Sequence, residues 1–83
     1  MRNNRQNEII LIIGRAIESR RLELKMSRTL LANEIGVDEK QVRRIEKGEV
    51  NATILSLLKI CFVLKLEPSF LNNIELTNEI LNY

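Results

Sequence analysis

The chain is expected to fold as an all-α domain, a compact bundle of five helices, and three observations lead there. Apolar residues recur at helical spacing from the start, at Ile9, Ile10, Ile13, Ile17 and Leu24. Residues that favour helix N-termini precede the periodic runs, at Asn7, Ser27, Asp38 and Thr53, and glycines follow two of them, at Gly36 and Gly48. No stretch alternates apolar and polar residues in the manner of a half-buried strand.

Taken in order, residues 1–6 are polar, carry Arg2 and Arg5, and read as a flexible arm. Asn7 caps a first helix over residues 8–25. Ser27 opens a second helix that runs through Ile35 and stops at Gly36, and Asp38 opens a third that runs to about Lys47. Residues 28–47 then satisfy what two short, steeply crossing helices need. Ala32 is small where they touch, and Gly36 reaches positive φ without a Cβ penalty. Val42 and Ile45, at i and i+3, turn back onto the first of the pair. This is a helix-turn-helix, whose second helix is the one that enters a DNA major groove. Residues 53–72 hold two further helices, one capped by Thr53 and reaching Leu64, the other short and opened by Pro68. Residues 73–83 form a tail, helical or frayed.

Composition narrows the function. A chain of 83 residues makes one domain with a small core, compact or shared with a partner. One Cys and no His exclude an internal disulfide framework, argue against a zinc site and point to a reducing, cytoplasmic setting. The apolar run Ile9 to Ile13 is far short of the roughly 18 residues of a membrane span, and too short for a signal-peptide core. No glycine-rich phosphate loop and no carboxylate pair in an evident cleft are present, and the single Cys sits in an apolar segment, so an enzyme is not expected. Neither a cofactor nor a small-molecule ligand is expected.

The formal net charge is only +2, but it is unevenly spread: residues 1–50 carry eleven Lys and Arg against eight Asp and Glu, and residues 51–83 two against three. A basic half that coincides with the helix-turn-helix, followed by an apolar and nearly neutral half, suggests a nucleic-acid face and a pairing face.

Several blocks stand in a familiar order: Ile13-Gly14 and Arg21, then Ser27, Leu31-Ala32, Ile35-Gly36-Val37, Val42, Arg44-Ile45-Glu46 and Gly48, then Asn51, Leu57-Leu58-Lys59-Ile60, Leu64 and Leu71. From Ile13 to Leu71 the chain resembles the Cro/repressor-type helix-turn-helix proteins, the Xre family, with their lambda repressor-like domain. The resemblance implies a five-helix all-α domain that binds operator DNA as a two-fold dimer and regulates transcription in bacteria, phages and plasmids. Its small single-domain members include phage repressors, controllers of restriction-modification systems and antitoxins, and the compact size here looks most like a controller or phage-type regulator. The departures are also informative. The family's usual Gln after Ser27 is Arg28, the usual glycines of two turns are Lys25 and Lys65, and the usual Pro after Asn51 is Ala52. Both lysine-bearing turns are therefore expected to differ from the family pattern.

Carried over residue by residue, the resemblance places base contacts on Glu39, Lys40 and Arg44, with Gln41 and Arg43 beside them. With Val42 and Ile45 inward, residues 39, 40, 43 and 44 must face outward or sideways. Arg44 or Lys40 suits guanine O6 and N7, Glu39 suits cytosine N4 and Gln41 suits adenine. Expected phosphate contacts are Ser27 and Arg28 at the start of the second helix, Arg43 and Lys47 flanking the third, and Asn51 in the following loop. Ser27, as a cap, also stabilises its helix by about 1 kcal/mol without any DNA. Arg2 and Arg5 could add contacts as an arm. Arg21 and Glu46 resemble the family's ion pair, a structural link between the first and third helices.

The fourth helix, with Ile54, Leu55, Leu57, Leu58, Ile60, Cys61, Phe62, Val63 and Leu64, is apolar on every face. A helix of that kind is buried all round, which a monomer of this size cannot provide. Leu55 and Phe62, at i and i+7, are expected to meet a second copy, with Phe70, Ile74 and the Ile80-Leu81 tail nearby; the alternative is a tail that folds back over them. Cys61 reads as a small buried hydrophobe. The favoured function is a homodimeric, sequence-specific transcriptional regulator on a palindromic operator. The alternative is a protein-interaction module, such as an antitoxin gripping a partner through its apolar C-terminal half. Such a module has no use for Lys40, Arg43, Arg44 and Lys47 together on an exposed face.

Overall fold

The computed structural model describes residues 4–74. Four α-helices follow one another, α1 (Asn4–Glu23), α2 (Arg28–Ile35), α3 (Glu39–Glu46) and α4 (Ile54–Leu64), and a 3₁₀ segment covers Pro68–Asn73. The fold is all-α among the described residues, but the fifth element is not an α-helix. Pro68 fixes the first turn, and Phe70 N–H bonds back three residues to the Glu67 carbonyl at 3.2 Å, the tighter 3₁₀ pattern.

The first helix also starts earlier than Asn7. Residues 4–6 are already helical, so the expected arm 1–6 is wrong over its second half, and Arg2 lies outside the described residues. Asn7 is a mid-helix residue because the turn around it has other support. Arg5 pairs with Glu8 at 3.2 Å across i, i+3, and Ile9, Ile10 and Ile13 are half-buried on the following turns.

The core is one cluster: Ile17 from α1, Leu31, Ala32 and Ile35 from α2, Val42 and Ile45 from α3, Ile60 and Leu64 from α4. Helices α1 and α3 meet at Gly14, where an added Cβ would lie 2.3 Å from the Ile45 carbonyl oxygen and 2.7 Å from that of Glu46. Only a glycine permits that approach. At Gly36 the demand is conformational, since space around it is open and its φ is 78°.

The helix ends explain the lysines that replace the family's glycines. At the end of α1, Met26 N–H bonds to the Arg21 carbonyl at 3.1 Å and Lys25 N–H to Leu22 at 3.0 Å. At the end of α4, Leu66 N–H bonds to Cys61 at 2.9 Å and Lys65 N–H to Phe62 at 3.3 Å. Both are Schellman endings, which require a left-handed residue, and Lys25 (φ 55°) and Lys65 (φ 53°) supply it. The lysines thus take the left-handed conformation that a glycine would adopt without strain. The residues that follow, Met26 and Leu66, are half-buried against the core. Their packing and the closing hydrogen bonds offset the roughly 1–2 kcal/mol that a left-handed L-residue costs.

Candidate nucleic-acid interface

The motif is assembled by caps and by burial. Ser27 adopts an extended conformation and its Oγ accepts from Leu30 N–H at 3.0 Å, which starts α2. Asp38 holds the equivalent place before α3, but its side chain makes no capping bond. Its carbonyl accepts from Gln41 and Val42 instead. Val42, Ile45 and Glu46 are the buried side of α3. The remaining positions therefore turn away from the core: Glu39, Lys40, Arg44 and Lys47 are exposed, and Gln41 and Arg43 are half-buried on the flanks. Lys40, Arg44 and Lys47, at i, i+4 and i+7, form one outward ridge.

Most arginines of α1 and α2 are engaged by carboxylates among the described residues: Arg5 with Glu8, Arg20 with Glu23, Arg21 with Glu46, and Arg28 with both Glu18 and Glu46, while exposed Arg15 is not. No described carboxylate pairs with Lys40, Arg43, Arg44 or Lys47. Unneutralised cations on a rigid convex element present donors to an anionic polymer without first breaking an internal bond.

Beneath the ridge lies a buried ionic knot. Arg21 Nε donates to Glu46 Oε2 at 2.6 Å and Nη2 to Oε1 at 3.1 Å, while Arg21 Nη1 donates to the Met26 carbonyl at 2.7 Å. The Glu46 side chain is fully enclosed. Arg28 joins it, with Nε donating to Glu46 Oε1 at 2.8 Å and Nη2 to Glu18 Oε2 at 3.0 Å. The hydrogen bond to Glu46 raises the Arg28 guanidinium above its ordinary range, against the opposing effect of burial. Arg28, expected at a phosphate, is engaged by two carboxylates of its own chain. Glu18 was missed by sequence reasoning, although its place one helical turn before Arg21 puts it on the same face of α1. Also missed was Arg20, whose Nε donates to the Leu64 carbonyl at 2.9 Å and ties α1 to the end of α4.

Asn51 is exposed in the loop after α3, and that loop is seated on α1. Ile10 and Ile13 line a cavity of about 40 Å³ with Val50, Asn51 and Leu57.

The other face is apolar. Ile54 is 79% exposed, Leu55 63%, Leu58 53% and Phe62 85%, so one side of α4 stays uncovered in the single chain. Phe70 and Ile74 are half-buried, and Ile80 and Leu81 lie outside the described residues. Cys61 is buried in α4, and burial pushes its thiol up, away from the reactive thiolate. Among the described residues no helix is long and apolar enough to cross a membrane, and no group of His, Cys, Asp or Glu is placed to hold a metal ion.

No curated protein and no solved structure matches the chain. A family does: residues 17–71 match the family described as helix-turn-helix, a span that runs from Ile17 in α1 into the 3₁₀ segment. With that match laid over the α2–turn–α3 geometry and its cationic ridge, the chain belongs to the helix-turn-helix family of the Cro/repressor (Xre) type, the DNA-binding regulators of transcription.

Proposed function

We propose that the protein regulates transcription as a homodimer on a palindromic operator, each copy laying α3 in the major groove of one half-site. In this reading Arg44 and Lys40 donate to guanine, Glu39 accepts from cytosine N4 and Gln41 pairs with adenine. Ser27, Arg43, Lys47 and Asn51 hold the phosphates on either side and set the register of the helix. The observation that carries the reading is the concentration of charge on α3: Lys40, Arg43, Arg44 and Lys47 stand together without carboxylate partners among the described residues, while four of the five arginines of α1 and α2 are held by carboxylates of the same chain. The exposed apolar strip of α4 supports the pairing of two copies, because large apolar patches on small soluble domains mark interaction sites.

Selection of bound sequences from random duplex DNA tests it, using the full chain. The expected result is an inverted repeat whose half-site centres lie about one helical turn, roughly 34 Å, apart. Recovery of a single asymmetric site overturns the dimer, and recovery of no preferred sequence overturns specific readout.

A further inference from the structure

Arg28 joins the buried knot to the surface of the motif, and its two carboxylate partners are unequal. Glu46 is fully enclosed and gripped by Arg21 through two bonds, so the Nε end of Arg28 has a fixed anchor. Glu18 is 38% exposed and holds the other end of the guanidinium by one bond of 3.0 Å. Arg28 is the first residue of α2, directly after exposed Ser27. The first helix of a helix-turn-helix crosses the DNA backbone, and a guanidinium fork fits two phosphate oxygens as well as it fits a carboxylate.

We propose that Glu18 limits the protein's DNA affinity by occupying the outer end of the Arg28 guanidinium, which without it would take a backbone phosphate. Glu18 is a positioning residue here: it touches no DNA and acts through Arg28. The pair is partly solvated, so it is strong enough to hold Arg28 in the free protein and weak enough to be tuned by one substitution. The inference rests on the reading of α3 as the groove-binding helix.

The test is the salt dependence of binding to a mixed-sequence duplex, followed by fluorescence anisotropy for the full chain, for Glu18→Gln, for Arg28→Gln and for the double variant. A freed Arg28 adds one phosphate contact, so Glu18→Gln is expected to steepen the slope of log K against log salt by about 0.9. Its affinity should rise by about two- to five-fold at physiological salt, the scale of a partly exposed ion pair. Arg28→Gln alone should leave the slope unchanged, and in the double variant the gain should disappear. An unchanged slope in Glu18→Gln overturns the proposal. So does an equal gain in the Arg28→Gln background, which would mark a bulk charge effect. Thermal melts by circular dichroism confirm that each variant is folded, and Glu18→Ala repeats the test without the amide. Failure of the unmodified chain to bind the duplex overturns the groove reading together with this inference. Intact binding with an unchanged slope overturns this inference alone.

Discussion

A carboxylate enclosed in a hydrophobic core is tolerable only while its partners stay in place. Glu46 is such a group, and Arg21 donates two of the three side-chain hydrogen bonds that its oxygens accept, the third coming from Arg28. Truncating Arg21 to alanine strands most of that charge and releases the Met26 carbonyl at the same time. The expected cost is about 3 kcal/mol, the lower end of what breaking a buried pair entails, because Arg28 still satisfies one oxygen. Urea unfolding should show it as a lower midpoint with an unchanged slope; an unmoved midpoint would show that the knot contributes nothing. The lysines in left-handed conformation predict the opposite sign. Lys25→Gly and Lys65→Gly should each stabilise by about 1 kcal/mol, a rise of roughly 4–8 °C in Tm for a domain of this size. These two residues also mark where the sequence ceased to be readable. Gly36 announces its positive φ by being glycine, whereas Lys25 and Lys65 are placed there by Schellman bonds and by the packing of Met26 and Leu66, which are tertiary facts.

At the scale of the element, the aim of α3 depends on α1. The two helices touch at Gly14, where carbonyl oxygens of Ile45 and Glu46 occupy the space a side chain would need. Gly14→Ala must push the end of α3 outward, and overpacking of this kind costs about 1–3 kcal/mol. A tilted recognition helix misplaces base contacts more than phosphate contacts. Binding to the selected operator should therefore fall more than binding to a mixed-sequence duplex, and an equal fall for both would remove α1 from the control of specificity. The boundaries of α2, α3 and α4 were legible because caps, stops and apolar spacing agree over residues 27–64. The start of α1 was not, because Asn7 looks like a cap while Arg5–Glu8 pairing and isoleucine packing carry the helix past it. The outward positions of α3 followed from period alone, but the engagement of Arg28 by Glu18 joins α1 to α2 and has no signature within either segment.

For the whole molecule, the question is what lies against α4. Ile54, Leu55, Leu58 and Phe62 fall on one strip of a helix whose opposite side, Ile60 and Leu64, is fully buried. A two-fold dimer uses the same patch on both copies, so each side chain in it counts twice. An aromatic anchor at the centre of an interface contributes about 2 kcal/mol or more, so Phe62→Lys removes about 4 kcal/mol per dimer. That is a weakening of the dimer by about a thousand-fold. At 85% exposure in the single chain, Phe62 does little for the fold of one copy, and the variant should melt as a folded monomer. Sedimentation at micromolar concentration should then show a dimer for the unmodified chain and a monomer for the variant. The operator footprint should shrink to one half-site, while non-specific binding through Lys40, Arg43, Arg44 and Lys47 persists at reduced affinity. A monomer in both cases, with and without operator DNA, would remove α4 as the pairing surface and leave each α3 to bind its site alone.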